Sequence, residues 1–451
     1  MQKTAGQKRF SASDVVNFSA CAHLTHLDLM NLETPLPKAV DSEEMVLIQD
    51  KGFAHEARYW EHLKSTEAST VDLTDAGTTD ELKFAATAKA LSGGTQVVFQ
   101  ATLLEDPWVG HADFLVRVER PSKLGGFSYE VADTKLARSS RAKFLVQLCL
   151  YSDMLSRVQG VMPQHMHVVL GDGRKETFLV DDYLRYFRRL QVRFLQWAEL
   201  KERYTYPEKV ERCGQCRWRE ICAQRWEADD HLNRVANINM MQILKLRAAG
   251  VDTLEKLSTL PSGHTIARIQ PETVQRLAHQ ARLQRQSQES GQPVSEILPL
   301  REAKGFARLP RPAEGDLFFD MEGDPMTEGG LEYLFGLYYF VGGTPVFKPF
   351  WAHTRTDERL SFEAFIDFVV AHLRNFPGAH IYHYASYEAT ALKRLMSLHG
   401  TREAEVDHLL RTAKLVDLYA VVREAIRIGE PELLHQVHRA LLQQQGAGGR
   451  R

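Results

Sequence analysis

The sequence predicts an α/β protein that is built from more than one domain. Its 451 residues are enough for two or three domains, and hydrophobic residues make up 44% of them, so each domain can bury a core. Segments of alternating apolar and polar residues stand between longer segments with helical periodicity, which is typical of α/β folds. We expect an α/β region over 1–227, a helical region over 228–305, a second α/β region over 306–428 and a disordered tail over 429–451.

The first region contains the elements of one sheet flanked by helices. A helix is predicted over 12–31, with Ser13 or Asp14 as its cap, and another over 43–64. Alternation of apolar and polar residues predicts strands at 96–104, 108–118, 127–133, 165–170 and 176–180. Helices are predicted after the third and after the fifth of these strands.

The remaining regions are told apart by their helices and turn residues. Residues 228–290 predict helices only, and two stretches resemble paired helix-hairpin-helix elements with Gly250 at a turn. The boundary RLPRPAEGD precedes the strand that begins in DLFFDMEGDP. The final stretch, LLQQQGAGGRR, has the low complexity of a disordered tail.

Charge is balanced over the whole chain but not locally. The net charge of −2 gives no indication of a nucleic-acid partner. Arg138, Arg141 and Lys143 nevertheless follow one another closely, and five more basic residues surround a cysteine cluster: Lys209, Arg212, Arg217, Arg219 and Arg225. Such patches suit a polyanion, and a solvated face is the alternative interpretation.

The expected compartment is a reducing cytoplasm. The N-terminal stretch MQKTAGQKRFSASDVV lacks the apolar segment of a secretory signal, and no run approaches the ~18 apolar residues of a membrane span. Five cysteines are few and odd in number, which argues against a disulfide framework.

Two carboxylates and a lysine lie on neighbouring predicted strands. Asp133 and Lys135 are two residues apart, so their side chains point to the same face, and Asp113 lies on the preceding strand. Phosphodiester hydrolysis uses a hard cation to polarise the phosphate, and two carboxylates can hold one. Lys135 would orient the water or stabilise charge on the phosphate, and His55 would add a nitrogen ligand that favours Mn²⁺ somewhat over Mg²⁺. Taken separately, a surface ion pair and a structural histidine are the alternatives.

The order of these residues along the chain resembles that of a nuclease family. The histidine, the first aspartate and the Asp-x-Lys strand are followed by a helix on which Gln147 and Tyr151 share a face. This order resembles the RecB-type branch of the PD-(D/E)xK superfamily, in which Asp133 would fill a position often held by Glu. The resemblance implies a restriction-endonuclease-like α/β core.

The resemblance also implies a role for each residue. The metal ligands would be His55, Asp113 and Asp133, together with the Thr134 carbonyl. Lys135 would be the catalytic base or an electrostatic catalyst, acting beside the two aspartates. The DNA backbone would be contacted by Gln147 and Tyr151, with the basic Arg138 and Arg141 nearby.

Four of the five cysteines form a pattern that suits a metal centre. Three lie in Cys213-x2-Cys216-x5-Cys222, Cys21 lies far upstream, and Cys149 falls in an apolar helix stripe that predicts an inert thiol. Four thiolates suit Zn²⁺ or a [4Fe–4S] cluster. One cysteine before the core and three after it resemble the iron–sulfur staple of AddB-type nucleases and related CRISPR-adaptation exonucleases. This resemblance implies a structural [4Fe–4S] cluster, with zinc as the alternative.

A second acidic pair lies in the third region. Asp320 and Glu322 share one side of a predicted strand and resemble the first motif of DEDD-type 3′–5′ exonucleases, whose fold is ribonuclease H-like. Glu388 resembles their second motif, where the family usually has Asp, and Asp417 fits the strand and helix that follow. The last carboxylate motif does not follow Ile428. The resemblance therefore implies an incomplete ribonuclease H-like domain, degenerate or truncated, and a surface-exposed strand end is the alternative interpretation of Asp320 and Glu322.

Together these patterns predict a DNA nuclease that uses Mg²⁺ or Mn²⁺ and acts in DNA repair or processing. Residues 10–428 resemble RecB-like nucleases with this second domain, which implies action on single-stranded ends. Relatives often continue into a superfamily-one helicase, and this chain lacks a G-x4-G-K-[ST] phosphate loop, so a helicase would be a partner. The alternative is a non-catalytic module that delivers DNA to a helicase. Action of the third region on RNA is a further alternative.

Overall fold

The computed structural model describes residues 1–4, 6–325, 327 and 329–430. Contacts between residues divide the chain into two units, Met1–Ala228 and Asp229–Arg451. From residue 431 onward, the expected disordered tail lies outside the described residues. The expected boundary near residue 305 falls inside the second unit and stays a prediction.

The first unit alternates helices and strands. Its helices are α1 (Ala12–Ala20), α2 (Ala22–Glu33), α3 (Glu43–Thr66), α4 (Asp80–Ser92), α5 (Ala142–Gln159), α6 (Val180–Glu199) and α7 (Arg219–Ala228). Its strands are β1 (Gln2–Thr4), β2 (Gln7–Arg9), β3 (Thr70–Asp72), β4 (Val97–Glu105), β5 (Trp108–Val118), β6 (Ser128–Lys135), β7 (His165–Leu170) and β8 (Lys175–Leu179). The five predicted strands thus form as β4 to β8, whereas α4 and the three short strands were not predicted.

A six-stranded sheet positions the candidate site of the first unit. Its strand order is β3-β4-β5-β6-β7-β8. Strands β4, β5 and β6 are antiparallel neighbours, and β6 pairs in parallel with β7. Strand β6 is central and buried along most of its length, so its side chains reach both faces of the sheet.

Helices cover both faces of this sheet because its central strands alternate between two apolar faces. Tyr129 and Val131 of β6 pack in one core with Leu148 of α5. Ala132, the next residue after Val131, packs in the other core with Trp60 of α3. The two-residue period of β6 therefore directs Asp133 towards the α5 face, where Gln147 lies.

The predicted helix over 12–31 is wrong in one respect, because the chain forms two helices there. Cys21 is extended, with φ −158° and ψ 105°, and it ends α1 and caps α2. Its sulfur accepts a hydrogen bond from the Leu24 N–H at 3.4 Å. The N-cap of α1 is Ser11, whose N–H donates to Asp14 Oδ2 at 2.8 Å, rather than Ser13 or Asp14.

The second unit combines helices with a five-stranded sheet. Its helices are α8 (Met240–Ala248), α9 (Leu254–Ser258), α10 (Pro271–Ser290), α11 (Arg355–Asn375), α12 (Tyr387–His399), α13 (Glu403–Arg411) and α14 (Leu418–Ala425). Its strands are β9 (Ser295–Ile297), β10 (Leu317–Asp324), β11 (Leu331–Val341), β12 (Thr344–Trp351), β13 (Ile381–His383), β14 (Leu415–Asp417) and β15 (Ile426–Ile428). Gly250 has φ +81° between α8 and α9, which confirms the predicted turn.

The sheet of the second unit has the strand order β12-β11-β10-β13-β14. Strands β10, β11 and β12 are antiparallel, and β13 and β14 run parallel to β10. One face packs on α11, α12 and α13 through a core that includes Phe319, Phe335, Phe365 and Leu392. The carboxyl ends of the three parallel strands meet at one edge.

Membrane insertion is not indicated by the helices. In the described part of the chain, none of them is both long enough and apolar enough to span a bilayer.

Gly110 tests how tightly β5 packs on α5. A Cβ atom at this position would lie 2.8 Å from Cδ1 of Tyr151, whose ring is buried. We expect Gly110→Ala to lower the free energy of unfolding by about 1–3 kcal/mol, measured by urea denaturation. Gly126→Ala is the control, since its Cβ would meet no atom within 4 Å. Equal losses in both variants would contradict the packing.

Candidate functional site

Two aspartates of adjacent strands come into contact in the first unit. Asp133 of β6 is fully buried, and Asp113 of β5 lies beside it. Asp113 is half-buried, and its Oδ2 accepts a hydrogen bond from the N–H of Thr134, the residue after Asp133, at 3.3 Å. Burial raises the pKa of Asp113 well above its usual range, and the charge of Asp133 raises it further. The pair therefore needs a proton or a cation between its oxygens.

Polar side chains from β6 and α5 surround this pair. The Lys135 ammonium forms an ion pair with Asp133 Oδ2, which is buried yet receives no hydrogen bond of good geometry. Gln147 Nε2 donates to Asp133 Oδ1 at 3.4 Å and lies 3.3 Å from the Tyr151 hydroxyl. Burial raises the pKa of Tyr151, and Asp133 contributes, so this hydroxyl stays protonated. The structure thus brings five of the predicted site residues together.

The histidine predicted as a ligand lies on α3 beside this group. His55 is buried, and its Nε2 lies 3.3 Å from the Val169 carbonyl oxygen of β7. The next residue, Glu56, is half-buried, and the charges of Asp133 and Lys135 act on its carboxylate. A metal role for His55 stays a prediction, and Glu56 is a member of the site that the sequence interpretation missed.

Basic side chains follow strand β6 along the chain. Arg138, Arg141 and Lys143 are exposed, and Arg141 is the N-cap of α5. Burial lowers the pKa of Lys143, and the positive charges of Arg141, Arg212 and Lys135 lower it further. Lys143 therefore lies in a positively charged neighbourhood with Arg141, Arg212 and Lys135, which suits binding of a phosphate backbone. DNA contacts by Arg138 and Arg141 stay a prediction.

The donor set fits a cation that is held by few protein ligands. Among the described residues, no group of three or more His, Cys, Asp or Glu side chains is placed to hold a metal ion. Asp113 and Asp133 are two adjacent carboxylates, and the buried Asp133 Oδ2 has the Lys135 ammonium beside it but no hydrogen bond. Mg²⁺ is commonly held by one or two carboxylates, with waters and substrate phosphates as its other ligands. The pair is compatible with that mode.

The four cysteines of the predicted cluster are near one another. Burial raises the pKa of the Cys222 thiol to about 12, and Cys216, Cys21 and Cys213 raise it further through their charges. Three sulfurs accept backbone N–H groups, at 3.4 Å for Cys21, 3.3 Å for Cys213 and 3.4 Å for Cys216. As the side chains lie, however, the described residues show no metal-holding group here. Cys149 is fully buried, as predicted.

The acidic residues of the second unit lie at the edge where its parallel strands end. Asp320 and Glu322 are exposed on the same face of β10. Glu388, in the first turn of α12, is buried and lies 3.3 Å from His383 Nδ1. Asp417 Oδ1 caps α14 and accepts the N–H groups of Ala385, Tyr419 and Ala420 at 2.9–3.2 Å. Among the described residues these carboxylates do not form a metal-holding group.

Part of the second unit matches the model of a known protein family. Residues 317–447 match the model of RNase_H_2, of the RNase_H superfamily. The match begins at the first residue of β10 and confirms the predicted ribonuclease H-like domain. It indicates a nuclease-type phosphodiester hydrolase, a class that typically uses Mg²⁺ or Mn²⁺. A search of curated proteins found no match to this chain.

Asp113→Asn tests the electrostatic conflict in the acidic pair. An asparagine keeps the hydrogen-bonding shape but removes the like charge beside the buried Asp133, so we expect the metal-free protein to become more stable. The gain should be on the order of 1 kcal/mol, or roughly 2–4 °C in melting temperature for a unit of this size. Asp75→Asn, at an exposed aspartate, is the control. A less stable Asp113→Asn variant would show that the pair is not in conflict.

Proposed function

We propose that the chain is a metal-dependent DNA nuclease whose active site is the Asp113, Asp133 and Lys135 group of the first unit. The contact between the fully buried Asp133 and the half-buried Asp113, with the lysine ion-paired to Asp133, carries this proposal. A structural ion pair needs one carboxylate for one ammonium, and a second carboxylate against the buried one only destabilises it. The ribonuclease H-like match in the second unit supports the coarser class of nuclease.

The side chains have separate roles in the proposed reaction. Asp113 and Asp133 would hold the cation, which when bound polarises the scissile phosphate and activates water. Lys135, about a quarter exposed, reaches from Asp133 towards solvent and would stabilise the charge that develops on the phosphate. Gln147 keeps the Asp133 carboxylate in one orientation. The exposed Arg141 and Lys143 would bind neighbouring phosphates of the strand.

We propose single-stranded DNA ends as the substrate, in DNA repair or processing with a helicase partner. This part rests on the resemblance to RecB-type nucleases. The binding-module alternative shares the basic residues, but it does not explain why a second carboxylate contacts the buried Asp133.

Lys135→Ala tests the catalytic assignment. Because the ammonium would act on the transition state, we expect cleavage of end-labelled single-stranded DNA with Mg²⁺ or Mn²⁺ to fall by about 10²-fold or more, with DNA binding retained. Lys201→Ala, at an exposed lysine of the same unit, is the matched control.

The paired variants Asp320→Ala and Glu322→Ala locate the activity within the chain. Cleavage that survives these changes but not Lys135→Ala would assign it to the first unit. The opposite pattern would assign it to the ribonuclease H-like domain. Absence of cleavage in every protein, with DNA still bound, would favour the binding module.

We also propose that Cys21, Cys213, Cys216 and Cys222 hold a structural [4Fe–4S] cluster. The mutual electrostatic influence of the thiols and the three N–H···S hydrogen bonds support the site, since such bonds tune cluster sulfurs. The cluster would fasten the start of α2 to the segment that leads into α7. It would therefore close a loop that contains the whole six-stranded sheet.

Cys216→Ala tests the cluster in anaerobically purified protein. We expect loss of an absorption band near ~400 nm and a fall in melting temperature of at least about 5 °C, since the loop is no longer closed. Cys149→Ala, which changes the cysteine of the α5 core, should keep the band. Stoichiometric zinc without the band would support the zinc alternative.

A further inference from the structure

Gln100 has an unusual backbone conformation in the middle of β4. Its φ is +55°, in the left-handed region that non-glycine residues rarely adopt and that does not belong to a strand. It falls between the register pairs Phe99–Phe114 and Ala101–Ala112, so it faces Asp113 across the two strands. Conformations of this kind persist where the surrounding structure holds them, and they concentrate at functional sites.

The side chain of Gln100 contacts the carboxylate next to the acidic pair. Its Nε2 donates a hydrogen bond of 2.5 Å to Glu56 Oε1. Glu56 lies on α3, which packs against β6, and the charges of Asp133 and Lys135 act on it. An amide N–H orients a carboxylate and leaves its charge in place, whereas a lysine or arginine would neutralise that charge. The irregular strand thus connects a third carboxylate to the edge of the Asp113 and Asp133 pair.

We propose that Gln100 is a positioning residue, which holds Glu56 as the third carboxylate of the nuclease site. There Glu56 accepts hydrogen bonds from the water shell of the cation that Asp113 and Asp133 would hold. This inference rests on the proposed function. In this role Glu56 acts beyond direct coordination of the cation. Mg²⁺ keeps several of its waters in protein sites, and carboxylates that contact them orient and tune the ion.

Cation affinity, rather than activity, tests the proposal in the full chain. Free Mn²⁺ would be followed by electron paramagnetic resonance in equilibrium titrations of the wild type, Glu56→Gln and Gln100→Gly. We expect both variants to bind Mn²⁺ about tenfold more weakly, as is usual for outer-shell partners. Gln96→Ala is the matched control, because Gln96 also joins two segments at the start of β4, through Ser69, away from the site.

The melting temperature separates positioning from structural support. Glycine adopts a positive φ without steric cost, so metal-free Gln100→Gly should melt no lower than the wild type while its Mn²⁺ affinity falls. A purely structural glutamine would give the reverse, a lower melting temperature with unchanged affinity, and would overturn the proposal.

Asp133→Asn separates failure of this inference from failure of the proposed function. Unchanged Mn²⁺ affinity in Glu56→Gln, with binding lost in Asp133→Asn, would overturn the role of Glu56 and leave the nuclease site standing. Unchanged affinity in Asp133→Asn as well would overturn both.

Discussion

The contact of Asp113 with the buried Asp133 is the constraint on which the rest of the first unit's site depends. Two carboxylates in contact, one of them fully removed from water, repel each other, and this repulsion contributes to the raised pKa of Asp113. The Lys135 ammonium offsets one charge, and Gln147 fixes one oxygen of Asp133. One negative charge of the pair remains without a counter-charge. A divalent cation supplies that counter-charge, whereas a proton only removes the negative charge. The contact between the two carboxylates therefore destabilises the metal-free site and also gives the site its capacity to hold a cation.

Two local irregularities of the sheet, one in β4 and one in β5, accompany this arrangement of carboxylates. Gln100 and Asp113 interrupt the pairing of β4 with β5, where Gln100 has a positive φ. Gly110, which precedes Asp113 on β5, leaves the space that the Tyr151 ring fills. The hydroxyl of this ring accepts a hydrogen bond from Gln147. The glycine before the aspartate in this strand is thus explained by the aromatic ring of α5.

Patterns with a short period could be predicted from the sequence, and features fixed by tertiary contact could not. The alternation of β4 to β8 and the Asp133-x-Lys135 spacing depend on the strand period alone, and both hold. The break of the first helix at Cys21 was missed because a cysteine is a weak stop signal. Nothing in the sequence marks Gln100, since its conformation follows from contacts with α3 and β5. Glu56 did carry a signal, its position directly after His55.

The two units use their carboxylates in opposite ways, although the family match lies in the second. Asp320 and Glu322 are exposed, so solvent screens their charges. Asp417 gives one oxygen to three backbone N–H groups, and turning it towards a metal would uncap α14 at a cost of about 1 kcal/mol. Glu388 is buried beside His383, which already contacts one of its oxygens. The electrostatic demand for a cation is therefore stronger in the first unit, where the sheet itself creates it.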